Sequence, residues 1–411
     1  MAPSSSLTKS RHVAVIGAGA AGLVAAKELR REGHSVVIFE RQNQIGGTWI
    51  YTDDVEPDPL SVDPTRPVVH SSVYGSLRTN LPRECMGFRD FPFVTRSGAS
   101  ESRDPRRFPS HSEVLAYLQE FAKEFGIEEM IRFETVVVRV SPATKSDGKG
   151  GIGKWRVEST EKEKKVRRDE IYDAVVVCNG HYIEPRLAEI PGISSWPGKE
   201  MHSHNYRIPE PFKDQVVVLI GNSLSADDIS RDIARVANEV HVACRSNAAD
   251  TFIKQTGYTN IWMHSMIERV HEDGSVVFQN GKTILADVIM HCTGYKYHFP
   301  FLETNGSVNV DDNCVNKLLG TRFTVDWDDI VALLSDSTQQ STPLFLFRYA
   351  FQVTIHSLWR ERNRRYHGEQ PSSQHLLYRF IDKSVGNRIS SLRLLGIHRR
   401  EDGLQWWFST R

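Results

Sequence analysis

Val13-Ala14-Val15-Ile16-Gly17-Ala18-Gly19-Ala20-Ala21-Gly22 decides the fold: four apolar residues run into a glycine turn, and a helical pattern opens directly after it. A second apolar run, Val36 to Phe39, ends at Glu40. Strand, turn, helix and strand in that order predict a βαβ unit, and such units build parallel sheets. The fold class read from this stretch is α/β. Gly17 permits the tight bend, Gly19 lets the backbone approach a pyrophosphate, and Gly22 allows close packing of helix on strand. The main chain of Ala18, Ala20 and Ala21 completes a cradle at the positive end of the helix dipole. Glu40 follows about 20 residues on, where a carboxylate accepts hydrogen bonds from both hydroxyls of an adenosine ribose. An acid there disfavours a 2′-phosphate, so FAD or NAD suits this site better than NADP. The competing reading of the same residues is a glycine-rich turn followed by a surface glutamate.

The signature recurs. Val216 to Ile220 is another continuous apolar run, leading into Gly221-Asn222-Ser223-Leu224-Ser225-Ala226 and a helix predicted over Ala226 to Ala237. Ser223 and Ala226 replace the second and third glycines, yet small residues still permit close backbone approach. Val240 to Ala243 then delivers Cys244-Arg245-Ser246 where the first site has its acid. A cation at that place complements a 2′-phosphate, which makes Arg245 the candidate selector for NADP(H), with a solvated arginine as the alternative. One FAD site and one NADP(H) site predict a flavoprotein that passes a hydride from nicotinamide to flavin.

Around these turns the chain divides into a first FAD-binding part (1–185), an NADP-binding part (186–295), a shortened return to the FAD domain (296–340) and an atypical tail (341–411). Residues 51–105 read as long loops with short helices, the kind of insertion that carries function. Ser112 to Phe125 reads as an amphipathic helix stopped by Gly126. Strands are expected at Arg132 to Val140, Lys154 to Ser159 and Lys165 to Glu170, and a buried strand at Ala174 to Cys178. Cys178 reads as a small buried hydrophobe on a central strand, and Met86 and Phe88 as core.

Composition removes several function classes. The 411 residues balance 51 Lys+Arg against 51 Asp+Glu. With no net charge there is no global field for nucleic acid or an anionic membrane. No apolar run approaches the roughly 18 to 20 residues of a membrane span. Met1 to His12 lacks the apolar stretch of an export signal, and the five cysteines (Cys85, Cys178, Cys244, Cys292 and Cys314) are scattered, without a CxxC pair. A cytosolic location is expected. The scattered cysteines also argue against a disulfide reductase, which needs a redox pair, and leave an oxygen-using flavoenzyme. His202 and His204 form an isolated HxH without a third ligand, so no metal is predicted.

At this level of detail residues 13 to about 314 resemble plant flavin-containing monooxygenases, in particular the group that S-oxygenates methylthioalkyl glucosinolates. The resemblance rests on the Gly17 to Gly22 turn, the GGxW segment Gly46-Gly47-Thr48-Trp49, Tyr74-Gly75-Ser76-Leu77-Arg78-Thr79-Asn80 and Phe91-Pro92-Phe93. It rests also on Trp196 to Tyr206, which fits FxGxxxHxxxY/F with Trp in the first place, and on His291-Cys292-Thr293-Gly294-Tyr295. The resemblance implies hydride transfer from NADPH to FAD, reaction with O2, and oxygenation of a soft nucleophile such as a thioether sulfur. It implies that Gly46 to Trp49 contact the flavin and that Asn80 is the active-site asparagine. The neutral amide of Asn80 would orient NADP and the oxygen-bearing flavin without supplying a proton that releases peroxide early. A turn-closing role for Asn80 beside Pro82 is the structural alternative. His202 and Tyr206 are expected in a linker between domains and receive no catalytic role.

After Cys314 the resemblance stops. Residues from about Leu344 to Arg411, with Trp359 to Asn363 and Gly403 to Phe408, resemble the terminus of plant non-LTR retroelement reverse transcriptases, so the chain reads as a fusion. From Gln340 onward it carries 12 Lys+Arg against 5 Asp+Glu. No polymerase carboxylates accompany that basic excess, and a solvated charged face is expected in place of nucleic-acid binding. Leu344 to Phe347 is the candidate for a makeshift strand in the FAD domain. Two outcomes stay open at this level: an NADPH-dependent, FAD-containing S-oxygenase, or a non-catalytic remnant that at most binds a nucleotide.

Overall fold

The computed structural model describes residues 10–64, 66, 68–94, 104–143, 154–162, 164–245 and 247–304, with the backbone of 309–310 and 315–316. All of them belong to the compact unit Met1–Lys317. The expectations for the tail, including Leu344 to Phe347, lie outside the described residues, as does Ser246.

The quoted stretch folds as read. β1 (His12–Ile16) enters the turn, α1 (Ala20–Arg31) leaves it, and β2 (Ser35–Phe39) pairs with β1 in parallel. α2 (Arg83–Met86) is the one short α-helix described in the long loop region, and α3 (His111–Glu124) follows, stopped as expected by Gly126 at a φ of 57°. β3 (Ile131–Arg132) pairs with β2 in parallel. β4 (Thr135–Pro142), β5 (Trp155–Glu161) and β6 (Arg167–Tyr172) form an antiparallel sheet of their own. β7 (Ala174–Val177) completes the parallel sheet in the order β3-β2-β1-β7. One face of that sheet buries Val15, Leu23, Ile38, Leu118 and Phe121 under α1 and α3, with Met86 and Phe88 packed against this core as expected. The other face meets the antiparallel sheet through Ala14, Phe39, Val140, Val157 and Tyr172.

Two readings of this half need correction. β7 is an edge strand among the described residues, and its four residues are half-buried where burial was expected. Cys178 at its end is likewise half-buried, because only one side of the strand is covered by a described neighbour.

The second half repeats the plan. β8 (Glu184–Pro185) precedes β9 (Lys199–His202), and β10 (Val216–Ile220) leads through the second turn into α4 (Leu224–Ile233). This helix starts two residues earlier and ends four earlier than predicted, since Leu224 already follows the turn and the chain bends after Ala234. β11 (Glu239–Ala243), β12 (Phe252–Lys254), β13 (Ile261–His264) and β17 (Val288–His291) complete a six-stranded sheet in the order β12-β13-β11-β10-β17-β9. All its pairings are parallel except that of β12. β14 (Ile267–Val270), β15 (Ser275–Phe278) and β16 (Thr283–Leu285) form the antiparallel sheet that covers one face, as β4 to β6 do in the first half. β18 (Tyr295–Lys296) pairs back onto β8, and Phe301 and Glu303 then hydrogen-bond Val140 of β4.

The segment expected to be an interdomain linker is structured. Its residues Lys199 to His202 are an edge strand of the second parallel sheet, and Met201 through Arg207 are all buried. Both histidines of the HxH are buried. The Nδ1 atom of His202 accepts the His204 N–H at 3.0 Å, its Nε2 lies 3.1 Å from the Gly294 carbonyl, and His204 Nε2 lies 3.1 Å from Glu56. Among the described residues no helix is long and apolar enough to cross a membrane.

Burial of these imidazoles has a measurable cost. Desolvation holds His202 down to about 3 and His264 to about 4 from the ordinary 6.5, so both are neutral when folded. The unfolded chain takes up these protons below about pH 6.5 and the folded chain does not. Stability from the pair is therefore fully present above that pH and declines as pH falls towards 4. Denaturant titrations should show a fall of about 1.4 kcal/mol per pH unit for each histidine in this window. His264→Phe, which keeps the stacking on Phe278, should reduce the slope by one proton's worth; an unchanged slope would contradict the assignment.

Candidate functional site

Each parallel sheet ends at a turn built by the same contact. The N–H of Gly17 bonds the Phe39 carbonyl at 2.8 Å, and that of Gly221 bonds the Ala243 carbonyl at 2.8 Å, so each turn is pinned to the end of its neighbouring strand. Gly17 has a φ of 101° and Gly221 one of 122°, in the region that favours glycine. A Cβ on Gly17 would lie 2.6 Å from the Cys178 carbonyl oxygen, and a Cβ on Gly221 would lie 2.5 Å from that of Cys292. On Gly22 a Cβ would overlap the Gly17 carbonyl oxygen. Gly19 is different. Its φ is −81°, and a Cβ there would meet only the Gly47 backbone at ordinary contact distance. The protein's own packing does not require that glycine, so the missing side chain leaves room on the open side of the turn.

The electrostatics fit an anion at both places. α1 opens at Gly19 with no side-chain cap and no acid in its first turn, so its leading N–H groups lack intrahelical acceptors. α4 opens at Ser223, a good capping residue type that makes no capping bond here. Asp227 in its first turn is paired with Arg231 at 2.7 Å. These uncapped ends, with exposed Asn222 to Ser225 beside one of them, suit the pyrophosphates of two dinucleotides.

The structure gathers most of the residues expected at the first cradle. Glu40 is buried, and its carboxylate accepts the Ala18 N–H at 2.7 Å and the Gln42 N–H at 2.9 Å, so it also braces the turn. Its remaining lone pairs are the ones a ribose would use. Gly46 donates to the Ala18 carbonyl at 3.2 Å, which lays Gly46 and Gly47 against the turn. Thr48 is exposed and its carbonyl accepts from the Ser71 hydroxyl, while Trp49 is half-buried against the first core. Arg245 is exposed directly after β11 and Cys244. Burial pushes the Cys178 thiol up and that of Cys292 up to about 12, so both cysteines beneath the turns stay protonated and chemically quiet.

Asn80 is exposed at the end of residues 74–80, which are held from two sides. Towards the first half, the Thr79 N–H bonds the Pro109 carbonyl at 3.0 Å, and Arg78 reaches the Phe108 carbonyl and Asp104. Towards the second half, Gly75 bonds the Arg207 carbonyl at 2.8 Å, Tyr74 donates to Asp228 at 3.1 Å, and Ser76 donates to Asp232 at 2.7 Å. Tyr206 donates to the same Asp232 oxygen at 2.7 Å. Burial and these carboxylates push both tyrosine phenols far up, fixing them as donors. Sequence reading missed this tie and the buried Glu56–His204–Arg66 cluster, in which Arg66 Nε lies 3.2 Å from Glu56. The one available signal was two acids four apart, Asp228 and Asp232, on one helix face.

Comparison with known proteins agrees with this geometry. Residues 10–260 match the family model described as flavin-binding monooxygenase-like. The chain is 84% identical over 318 residues to flavin-containing monooxygenase FMO GS-OX-like 4 of Arabidopsis thaliana, covering 77% of this chain and 70% of that one. It is 64% identical over 318 residues to flavin-containing monooxygenase FMO GS-OX5 of the same plant, covering 77% and 67%. Among solved structures, S-allyl-L-cysteine S-oxygenase from Allium sativum is similar, with a TM-score of 0.72, 45% identity, and coverage of 97% of this chain and 99% of that chain.

The glycines separate fold from ligand. Gly19→Ala should leave thermal stability unchanged or raise it by up to about 1 kcal/mol, while dinucleotide retention on gel filtration is lost. Gly17→Ala should destabilise the chain by about 1–3 kcal/mol or more. Equal loss of stability in the two variants would remove the argument that Gly19 serves the ligand.

Proposed function

Given that the chain belongs to the flavin-binding monooxygenase-like family, we propose that it is an FAD- and NADPH-dependent S-oxygenase of small thioethers. The observation that carries this reading is the pair of uncapped nucleotide turns, with Asn80 on a segment bonded towards both halves. Gly17, Ala18, Gly19, Ala20, Ala21 and Gly22, with Glu40 and Gly46 to Trp49, would hold FAD. Gly221 to Ala226 and Arg245 would hold NADP(H). When bound, FAD supplies the electron-accepting and O2-reducing chemistry that no side chain offers. In the net reaction NADPH, a proton, O2 and a thioether give NADP⁺, water and a sulfoxide.

The chain's own contribution is to bind, orient and withhold protons. Backbone N–H groups at the two helix starts take the pyrophosphates, and the Glu40 carboxylate selects a free ribose over a 2′-phosphorylated one. Arg245 makes the opposite selection at the second cradle. Asn80 offers an amide, which can donate and accept hydrogen bonds but has no proton to release near neutral pH. The protonated thiols of half-buried Cys178 and buried Cys292 likewise present no competing nucleophile beneath the turns. The names of the Arabidopsis relatives and of the garlic S-oxygenase support sulfur as the oxygenated atom. Within that class, methylthioalkyl glucosinolates, converted to methylsulfinylalkyl glucosinolates, are the proposed substrates, and the cytosol the proposed location.

The purified full chain should be yellow and should consume NADPH with a thioether and O2. A colourless protein that ignores NADPH after FAD is added would favour the non-catalytic remnant. Asn80→Ala should keep its flavin while diverting NADPH consumption towards free hydrogen peroxide, lowering sulfoxide formed per NADPH; unchanged coupling would remove Asn80 from the role. Arg245→Ala should raise KM for NADPH by roughly tenfold or more, the loss of one charge-assisted phosphate contact, and leave NADH use nearly unaltered. Equal effects on both coenzymes would refute selection by Arg245.

A further inference from the structure

Residues 74–80 join the candidate active-site asparagine to the helix that opens the second cradle. Asp228 lies one turn and Asp232 two turns beyond Leu224, the first residue of α4. Asp228 accepts from Tyr74, and one oxygen of buried Asp232 accepts from both Ser76 and Tyr206. The other oxygen of Asp232 faces Arg235 at 3.3 Å, which completes its partners. The Tyr74 and Tyr206 rings pack edge to face at 5.4 Å, so the hydroxyls that reach the two carboxylates come from a single aromatic pair and one serine. A helix is a stiff rod over two turns, and a carboxylate shared by two hydroxyls has little freedom to move without losing both. Any ordering of the start of α4 is thus felt at Tyr74 and Ser76, six and four residues from Asn80.

We propose that Asp228 and Asp232 are positioning residues that couple occupancy of the second cradle to the placement of Asn80. The inference rests on the reading above that NADP(H) occupies that cradle. It assigns the two aspartates no contact with coenzyme or substrate. Their effect is to let the segment carrying Asn80 settle when the coenzyme is present, and so to keep NADPH consumption tied to sulfoxide formation.

Amide hydrogen exchange on the full chain, with FAD added and with or without NADP⁺, tests this directly. In the parent protein NADP⁺ should slow exchange across residues 74–80 by at least about fivefold. Ser76→Ala, a surface change that removes only a hydroxyl, and Asp232→Leu should lose most of that slowing while the Kd for NADP⁺ moves by less than about twofold. Asp232→Asn keeps one acceptor oxygen and should retain an intermediate effect. The same variants should form less sulfoxide per NADPH with little change in KM for NADPH, a split that general loosening of the fold would not produce. If Asp232→Leu fails to fold, Ser76→Ala and Tyr74→Phe carry the test. A parent chain that binds NADP⁺ without slowing 74–80, or a Ser76→Ala variant as protected as the parent, overturns the coupling and leaves the proposed oxygenase standing. A parent chain that binds neither coenzyme overturns both, and the binding measurement distinguishes the two failures.

Discussion

A carbonyl oxygen set against the α-carbon of a glycine is the constraint on which both halves of the molecule depend. The Cys178 carbonyl occupies the space of a Gly17 side chain, and the Cys292 carbonyl does the same at Gly221. In each case the cysteine N–H bonds the last residue of the central strand, Ile16 or Ile220, at 2.8 and 2.9 Å. Three strand ends are thereby fastened at one point in each half, and the helix that follows is aimed with its N–H groups outward. Everything proposed about coenzymes starts from that aim.

Much of this was legible in the sequence because the deciding interactions are local. The apolar run from Val13, the glycines and Glu40 lie within 28 residues, and Glu40 bonds back to Ala18, 22 residues away. Motif spacing encodes contacts of that range. Ser76 and Asp232 are 156 residues apart, and no periodicity in either segment announces the other. The strand Lys199–His202 escaped for another reason: Lys-Glu-Met-His has no alternation of apolar and polar residues. It is held by pairing with β17 and by the buried imidazole of His202, neither of which local composition reveals. The half-buried β7 is the complementary case, where Ala-Val-Val-Val reads as a fully covered strand and only the strand order shows it at an edge among the described residues.

The polar groups buried where the two halves meet carry a different kind of information. Glu56 bonds His204 and faces Arg66, and Arg207 donates to the carbonyls of Asp54, His204 and Tyr206. Replacing such groups with apolar ones of similar shape is often neutral or stabilising, whereas removing a single partner costs several kcal/mol. Their value here lies in direction. The loop that carries Asp54, Glu56 and Arg66 is tied to the second half through these contacts, and residues 74–80 continue from it.

Ala226 gives the second turn a separate significance. Its methyl group is buried at the place where, in the first turn, a methyl on Gly22 would overlap a backbone oxygen. The second turn thus accommodates a methyl group where the first does not, and the position is not restricted to glycine. A fingerprint demanding three glycines would therefore overlook half of this molecule's nucleotide machinery. A rule requiring one left-handed residue under a carbonyl, then a helix without a cap, would find both copies.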